Sequence, residues 1–490
     1  MEIRLEKGPV KSVKDDVLAV LLFEAQELPK EFSGLLVGMK KERFSGKTGE
    51  RYVVTTQGKE QFERLLLIGM GAEKDAGMES LRKAAATVVR YCDGNKLKTA
   101  TVMKPKIKSI NDMETVQALT EGASLSSFAF DDFKTKREDI FHMESITILG
   151  SCTEGEQEGL AKGFDLAGAQ NFARKLQELP ANMFGPEQGA KEAEKLAKEK
   201  GFSIKVFKKQ ELIKMGMNGI LAVNQGSVKE PCLVKLEYNA DKKNLPLYAI
   251  VGKGVCFDSG GISIKPSKGM EEMKYDKTGA LVVLGILMAA RNLQLPVRLI
   301  GLMPFVENMP SGTAQRPGDI LKMYNGKTVE VNNTDAEGRL ILADALSYAA
   351  EQKPKAIIDI ATLTGAMIIT LGRIGSGYFT QDDGLSKTLE AASAKTGEKV
   401  WRLPMWPEFF EMNKGTYADI RNITNTGEAG SSTAACLLKE FVGDVPWVHV
   451  DIAGTDMASE MPPHPYLGKG AAAPGVRLVI AALEELAKKK

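Results

Sequence analysis

The sequence contains 490 residues, of which 43% are hydrophobic, so the chain can bury a core and is not an intrinsically disordered protein. At about 100–200 residues per domain, we expect two to four domains. Lys and Arg total 65 against 63 Asp and Glu, and the formal net charge of +2 gives no overall field that would draw the protein to nucleic acid or to an anionic membrane.

Histidine and cysteine usage restricts the metal sites and the compartment. Only three His are present, which excludes the HExxH and other His-rich zinc sites and leaves carboxylates as the main ligands of any metal centre. Five scattered Cys without a CxxC pair favour free thiols in a reducing compartment. The N-terminal segment lacks the apolar core of a secretory signal, and the longest apolar stretch, residues 280–290, is about half of a membrane span. We therefore expect a cytoplasmic protein without membrane association.

Short apolar runs alternate with helical patterns along the first third of the chain. Strand candidates occur at residues 17–23, 65–68 and 145–149, and a helical pattern covers residues 78–92. This alternation indicates an N-terminal α/β domain over residues 1–160. It carries no motif to which we can assign chemistry.

A helical pattern, a break and a second helical pattern follow. The first pattern ends near Glu178, Pro180 interrupts it, and Pro186 stands near the start of the second. We predict that residues 161–185 form a connecting helix and linker between two domains.

From about residue 186 the chain alternates again, with strand candidates that are continuously apolar, as strands buried on both faces are. The strand candidates are residues 204–207, 232–238, 247–251, 297–304, 328–331, 356–361 and 447–452, and the clearest helical patterns are residues 278–293 and 336–352. The sequence thus predicts a two-domain α/β protein. Its larger C-terminal domain, residues 186–490, should have a central mixed sheet that is covered by helices and binds ligands beyond the strand ends.

Three polar clusters follow strand candidates of this domain. They are GKGVCFDSGGISIKPS at 252–267, MKYDKTG at 273–279 and VNNTDAEGRL at 331–340. In the third cluster, Asp335 and Glu337 precede a helix that does not yet use the Asp335 carbonyl, so three oxygen atoms can converge on a hard divalent cation. The alternative is an ordinary capped helix, because acidic residues in a first turn favour the helix dipole.

The first two clusters add carboxylates and amines. Asp258 and Asp276 stand at strand ends, and four carboxylates that met without cations would repel one another, which favours two metal ions. Lys253 lies between glycines after an apolar strand and can bind a metal only as a neutral amine, a state that adjacent cations favour. Lys265 can stay charged and stabilise negative charge on a carbonyl oxygen. The alternative for either lysine is a solvated surface charge.

These clusters resemble the motifs of the leucyl aminopeptidase (cytosol aminopeptidase) family, peptidase family M17. The resemblance continues through PANMFGP, AVNQGS, DIATLTGA, YADIRN and HVDIAG, whereas residues 1–150 resemble the family's variable, macro-like N-terminal domain only in length and general pattern. The resemblance implies an exopeptidase that removes the N-terminal residue, preferably leucine or another apolar residue, from peptides with a free N-terminus by means of a metal-bound water or hydroxide. It also implies two Mn, Zn or Mg ions per subunit and a homohexamer.

Individual roles are likewise implied by the resemblance. The implied metal ligands are Asp258 and Glu337, which bridge both ions, Lys253 and Asp276 at the tighter site, and Asp335 at the looser one. Lys265 is implied as the electrophilic catalyst. Arg339 is implied to hold a bicarbonate-like anion that acts as the general base.

The resemblance also implies a pocket for the N-terminal side chain. Its residues are Met273, Thr362, Gly365 and Ala453. Two nearby positions depart from the family's usual pattern: Lys277 starts a pair that is normally small and neutral, and Asp456 follows the HVDIAG motif. These departures leave the preference for leucine open.

Two other functions accompany the resemblance. Some family members combine peptidase activity with a DNA-binding regulatory role, which the near-neutral net charge does not support. A catalytically silent relative would act as a scaffold, which the filled metal and catalytic positions argue against. We therefore expect an active enzyme without a nucleic-acid partner.

Overall fold

A computed structural model describes residues 1–27, 29–32, 34–35, 44–136, 140–458 and 465–488. The chain divides into two compact units. The first consists of Met1–Asn171 and Glu460–Lys469, and the second consists of Phe172–Ser459 and Gly470–Lys490.

The first unit contains a six-stranded sheet. Its strands and helices in chain order are β1 (Glu2–Glu6), β2 (Val17–Leu22), β3 (Arg51–Thr55), β4 (Arg64–Gly69), α1 (Met78–Asn95), β5 (Thr99–Met103), α2 (Asp112–Ser126) and β6 (Ser145–Leu149). The strand order is β1-β6-β5-β2-β4-β3, and only β3 and β4 are antiparallel neighbours within this described sheet. β2 is buried at every position because α1 and α2 cover one of its faces, while Phe32, Phe44 and Phe62 cover the other.

The second unit is built on a nine-stranded sheet. Its elements in chain order are α3 (Glu154–Glu178), which begins in the first unit, α4 (Pro186–Lys200), β7 (Ser203–Lys208), α5 (Lys209–Met215), α6 (Asn218–Asn224), β8 (Cys232–Tyr238), β9 (Leu247–Gly252), β10 (Gly254–Asp258), α7 (Thr278–Asn292), β11 (Arg298–Asn308), β12 (Ile320–Lys322), β13 (Thr328–Glu330), α8 (Gly338–Glu351), β14 (Ala356–Ala361), α9 (Gly365–Leu371), β15 (Ser376–Phe379), α10 (Asp383–Thr396), β16 (Val400–Arg402), α11 (Pro407–Met412), β17 (Ile420–Arg421), α12 (Gly430–Lys439), β18 (Trp447–Asp451), β19 (Met457–Ala458), β20 (Gly470–Ala471) and α13 (Val476–Lys488).

The large sheet is mixed, as the sequence predicts. Its order is β16-β15-β18-β14-β9-β11-β8-β7, and β10 pairs with β11. The central strands β18, β14, β9 and β11 are parallel, whereas β15, β8 and β7 each have an antiparallel neighbour. Two small sheets, β12-β13-β17 and β19-β20, accompany it among the described residues.

Helices cover both faces of the central strands. On one face, Val251 and Leu302 share a core cluster with Leu346 of α8. On the other face α7 lies so close that a Cβ atom at Gly301 would come within 2.8 Å of Val283. Continuous apolar strands are thus explained by burial on both sides. The helices of the described residues include no segment with the length and apolar character needed to cross a bilayer.

Candidate metal centre

Four parallel strands bring the candidate residues to one edge of the sheet. Because β9, β11, β14 and β18 share one direction, their carboxyl ends meet at that edge. Lys253 follows β9, Asn308 ends β11, Thr362 follows β14 and Asp451 ends β18. The site therefore lies beyond the strand ends, where the sequence predicts it.

Lys253 is buried in a cluster of acceptors. Its Nζ atom lies 2.7 Å from Oδ1 of Asp276 and 2.8 Å from Oε1 of Glu337, and it donates a hydrogen bond of 2.8 Å to the carbonyl of Thr362. Burial alone would lower the pKa of this amine, but the neighbouring carboxylates of Asp276 and Glu337 hold its pKa above the ordinary value. The Lys253 ammonium therefore lies between two carboxylates, those of Asp276 and Glu337.

Lys265 makes a second, more exposed pair of ionic contacts. Its Nζ atom lies 2.9 Å from Oδ2 of Asp258 and 2.5 Å from Oδ1 of Asp335. The loop that carries it turns at Gly260 with a φ of 87°, and a Cβ atom there would lie 2.9 Å from Oδ1 of Asp335. Glycine is required at this position because it adopts the left-handed conformation and leaves room for the carboxylate.

The carboxylates converge closely enough to hold a cation. Asp258, Asp335 and Glu337 each place an oxygen atom within 4.8 Å of the others, and Asp276 joins them through Lys253. Oδ2 of Asp276 is buried without a hydrogen-bond partner among the described residues. A buried oxygen of this kind is costly unless it gains a partner, and hard oxygen donors suit a divalent metal. The donor set therefore fits the metal that the sequence predicts.

Burial and mutual repulsion shift the acidic pKa values. Burial, and after it the charge of Glu337, raises the pKa of Asp258 to about 6. Burial also raises the pKa of Asp276 and of Asp335. Burial alone would raise the pKa of Glu337, but Lys253 and Lys265 hold it below the ordinary value. The two lysines thus offset part of the charge that a metal would neutralise.

Arg339 lies in the first turn of α8, beside the carboxylates. Its Nη1 atom donates a hydrogen bond of 2.6 Å to the backbone carbonyl of Asn422, whereas its Nε atom is buried without a hydrogen-bond partner in the described part of the chain. Burial lowers the pKa of this guanidinium to about 10. It remains a cation at neutral pH, and its free N–H suits an anion.

The predicted pocket residues come from three segments near this edge: the turn at Met270–Tyr275, the segment from the end of β14 to the start of α9, and the loop after β18. The Thr362 hydroxyl donates a hydrogen bond of 2.7 Å to Oδ1 of Asp276, and the backbone carbonyl of Met273 accepts one of 3.2 Å from the Asp276 N–H. Gly365 begins α9 and Ala453 follows β18. Thr362 and Met273 are thus tied to the carboxylate cluster itself.

Comparison with protein families gives the chain its class. Residues 171–480 match the cytosol aminopeptidase family, catalytic domain, and residues 14–137 match the cytosol aminopeptidase family, N-terminal domain. The chain belongs to the cytosol aminopeptidase family. The resemblance that rested on the motif clusters is confirmed, and the protein is a metal-dependent aminopeptidase.

This aminopeptidase is similar to relatives over most of its length. The probable cytosol aminopeptidase of Roseiflexus castenholzii is 40% identical over 489 residues, which are 99% of each chain. That of Aquifex aeolicus is 40% identical over 97% of each chain, and that of Cenarchaeum symbiosum is 43% identical over 90% of this chain and 89% of its own.

Solved structures of similar proteins agree. A mutant of tomato leucine aminopeptidase has a TM-score of 0.88 and 30% identity, and the match covers 99% of this chain and 96% of that one. The bottromycin maturation enzyme BotP in complex with Mn has a TM-score of 0.87 and 30% identity, with 96% of this chain and 100% of that one covered. The predicted α/β fold class and the dependence on a divalent metal are therefore confirmed.

Lys277, which departs from the family's usual pattern, is fully buried in this aminopeptidase. Its Nζ atom donates hydrogen bonds of 3.1 Å to the carbonyl of Gln177 and 3.0 Å to that of Leu179, and it also bonds the carbonyl of Lys274. The ammonium lies 5.3 Å from the ring centre of Phe184. Burial lowers its pKa to about 7. Two of the three carbonyls, those of Gln177 and Leu179, stand at the end of α3 and just after it, and the third stands in the turn before α7.

Asp456 is the second departure, and it is also buried. Its backbone N–H donates a hydrogen bond of 2.8 Å to the carbonyl of Ile452, which closes a turn. Its backbone carbonyl accepts a hydrogen bond of 2.7 Å from the side chain of Gln177 and one of 2.9 Å from the N–H of Ala472. Burial raises the pKa of its carboxyl to about 7. Residues 459–464, which include His464, lie outside the described residues.

Three further residues of the site have no role in the sequence analysis. The side chain of Asn308 donates a hydrogen bond of 2.8 Å to Oδ1 of Asp258. Asp451 accepts three hydrogen bonds from the pocket loops. The side chain of Asn422 forms hydrogen bonds with the turn before α8. Asp451 and Asn422 lie inside the HVDIAG and YADIRN motifs, and this position was the sequence feature that could have indicated their importance. Their partners are far away in the sequence, so the motifs alone did not identify their contacts.

Proposed function

We propose that this aminopeptidase binds two divalent ions through Lys253, Asp258, Asp276, Asp335 and Glu337. We further propose that it hydrolyses the first peptide bond of substrates that begin with leucine or another apolar residue. The observation that carries the proposal is the buried Oδ2 atom of Asp276, which has no hydrogen-bond partner in the described part of the chain and lies beside a cluster of three other carboxylates. Such a cluster is stable when cations neutralise it.

The positions of the carboxylates support different ligand roles. When bound, two divalent ions polarise a carbonyl group and lower the pKa of water. Asp258 and Glu337 lie in one cluster with Asp335. Glu337 also contacts Lys253 and Asp258 also contacts Lys265, so this pair would help to hold both ions. The buried Asp276 would be a ligand of one ion, and the more exposed Asp335 would be a ligand of the other.

The two lysines differ in exposure, and this difference supports different roles. Lys253 is 3% exposed, and its Nζ atom contacts oxygen atoms of Asp276, Glu337 and Thr362, so we assign it to the metal after its proton is released. Lys265 is 21% exposed at the mouth of the cluster. It keeps its proton, and its N–H groups can bind the scissile carbonyl oxygen as negative charge develops there.

Arg339 is proposed to hold a bicarbonate-like anion. Its buried Nε–H lacks a hydrogen-bond partner among the described residues, while its Nη1 atom donates a hydrogen bond to the backbone carbonyl of Asn422. Arginine cannot itself accept a proton at neutral pH, so the anion would serve as the general base.

The remaining proposals concern the substrate, metal, assembly and compartment. Met273, Thr362, Gly365 and Ala453 present mainly small or apolar groups, which supports an apolar N-terminal side chain. Mn, Zn or Mg is proposed because the donors are mostly carboxylates. We also propose a homohexamer, because the exposed apolar side chains of Ile369 and Ile374 suit burial by another subunit. A cytoplasmic location is proposed because the five cysteines are free. Light scattering would test the hexamer.

A paired substrate assay with metal analysis tests the central proposal. We expect active protein to contain two divalent ions per chain by elemental analysis, and to release leucine from a peptide with a free N-terminus. The same peptide with an acetylated N-terminus is the control, and it should not be cleaved because its amine cannot bind a metal. Full activity after chelation, or cleavage of the acetylated peptide, would contradict the proposal.

A further inference from the structure

We propose that Asn422 is a positioning residue for the metal centre. Its side chain fixes the backbone of residues 332–336, and so aims Asp335 and Glu337 at the metals. This inference rests on the proposed function, because it concerns the geometry of the proposed ligands. It adds a residue that has no ligand or catalytic role of its own.

Asn422 reaches the turn from a separate strand. It follows β17, which pairs in parallel with β13, and β13 leads directly into the turn at residue 331. Its own N–H donates a hydrogen bond of 2.8 Å to the carbonyl of Glu330. The residue is fully buried. The backbone pairing of the small three-stranded sheet is thus sufficient to place the Asn422 amide beside the turn.

The amide uses all of its hydrogen-bonding capacity on this one turn. Its Oδ1 atom accepts bonds of 2.8 Å from the N–H of Asn332 and 3.2 Å from the N–H of Asn333. Its Nδ2 atom donates bonds of 2.6 Å to the carbonyl of Asn333 and 3.4 Å to that of Ala336. A carboxamide offers two acceptor sites and two donors, so no other side chain of similar size can make this set.

The turn needs such support because it is neither helix nor strand. The Thr334 hydroxyl of the same turn donates a hydrogen bond of 2.6 Å to the carbonyl of Gly260 and accepts one of 2.8 Å from the N–H of Ser263. Asn422 and the Gly260 loop therefore both hold the turn. Asp335 directly follows Thr334, so we expect the direction of its carboxylate to depend on both sets of contacts.

Asn422 also orients Arg339. Its backbone carbonyl accepts the 2.6 Å hydrogen bond from Nη1 of the guanidinium. One residue is thus linked both to the turn that carries two proposed ligands and to the proposed anion holder. A substitution changes the side-chain contacts and retains the carbonyl, so it tests the contacts with the turn separately.

Asn422→Asp tests the inference with little change in volume. It replaces two donors by acceptors that face the carbonyls of Asn333 and Ala336, so the turn should move. We expect Mn²⁺ binding, measured by isothermal titration calorimetry on the full chain, to weaken about 10- to 100-fold, as for other residues that support metal ligands. At saturating Mn²⁺, kcat for a leucyl peptide should fall more than KM rises. Asn422→Ala should show the same pattern, which keeps the test decisive if the aspartate variant does not fold.

Asn413→Ala is the matched control. Asn413 is also buried, and its Nδ2 atom donates a hydrogen bond of 2.7 Å to the carbonyl of Thr433. Its backbone carbonyl, which accepts a bond of 2.8 Å from the N–H of Arg421 beside Asn422, is retained in the alanine variant. We expect it to lower the melting temperature while it leaves Mn²⁺ affinity within about twofold of the unsubstituted protein.

The outcomes separate this inference from the proposed function. If both Asn422 variants bind Mn²⁺ as the unsubstituted protein does, and only their melting temperatures fall, Asn422 has a structural role and the inference is wrong. If the unsubstituted protein itself binds no Mn²⁺ and releases no leucine, the proposed function fails instead.

Discussion

Lys253 and Glu337 form a buried ion pair, with Nζ 2.8 Å from Oε1, between the end of β9 and the start of α8. Both side chains are almost fully enclosed, and a buried pair gains stability only when its geometry is good and its other polar atoms are satisfied. Gly338, next to Glu337, leaves the space in which the lysine lies: a Cβ atom there would be 2.6 Å from Cε of Lys253.

Gly338→Ala should therefore damage the centre without removing any functional group. The added methyl group would displace the Lys253 amine from Asp276 and Glu337, and a displacement of about 1 Å can cost about 100-fold in rate. We expect kcat/KM for a leucyl peptide to fall about 100-fold and the content of bound metal to decrease. Steady-state kinetics and elemental analysis measure the two effects.

Gly94→Ala is the control for this prediction. Gly94 lies in α1, and a Cβ atom there would meet no other heavy atom within 4 Å. Alanine at such a position should stabilise the protein by about 0.4–1 kcal/mol and leave kinetics unchanged. Wild-type kinetics for Gly338→Ala would show that the space beside Lys253 is not critical.

Removal of the metal should destabilise the chain as well as inactivate it. Without cations, Asp258, Asp335 and Glu337 repel one another, and burial already raises the pKa of Asp258 to about 6. Free Mn²⁺ at 100 times its Kd should stabilise the folded state by about 2.7 kcal/mol relative to the chelated protein. Thermal unfolding with EDTA and after Mn²⁺ is restored measures this shift. A melting temperature that does not depend on Mn²⁺ would count against a metal held by these carboxylates.

The sequence was informative where chemistry and strand position coincide. Lys253 and Asp258 stand next to apolar strands, and parallel strands bring their carboxyl ends together, so the clustering of such residues is predictable. The continuous apolar runs likewise predicted the buried central strands. These features depend on local pattern and on a general rule of α/β folds.

The sequence was uninformative where a role arises from distant contacts. In the sequence, Asn422 and Asp451 resemble ordinary polar residues at strand ends, and only the fold shows which partners lie beside them. Lys277 resembles a surface lysine, since nothing nearby in the sequence shows that the carbonyls of Gln177 and Leu179 will surround it. The burial and the hydrogen-bond partners of these three side chains can be identified only in the folded structure.

Lys277→Met tests whether this departure affects substrate preference. Because the ammonium contacts carbonyls at the end of α3, we expect the ratios of kcat/KM among leucyl, methionyl, lysyl and glutamyl substrates to stay within about twofold. Absolute rates can fall, since Asp276 is adjacent. A shift of more than tenfold toward one class of N-terminal residue would show that Lys277 acts on the pocket.

Asp451 should determine how the pocket loops are held. Its Oδ1 atom accepts hydrogen bonds of 3.1 Å from the N–H groups of Leu363 and Ala453, and Oδ2 accepts one of 2.7 Å from the Thr364 hydroxyl. Asp451→Ala removes all three bonds and frees both loops. At about 1 kcal/mol per lost bond, the three bonds amount to about 3 kcal/mol. Because 1.4 kcal/mol corresponds to a factor of ten, we expect KM for a leucyl substrate to rise by up to about 100-fold.

Asp451→Asn is the matched variant for that measurement. Its side-chain oxygen can still accept the two backbone N–H groups, and its amide can donate to the Thr364 hydroxyl, so most of the increase in KM should be reversed. Mn²⁺ affinity, measured by calorimetry, should change less than KM in both variants, since the bonds of Asp451 are with the pocket loops. If Mn²⁺ affinity fell in the alanine variant by the same factor by which KM rose, Asp451 would support the metal ligands as well, and the separation between pocket loops and metal centre would be wrong.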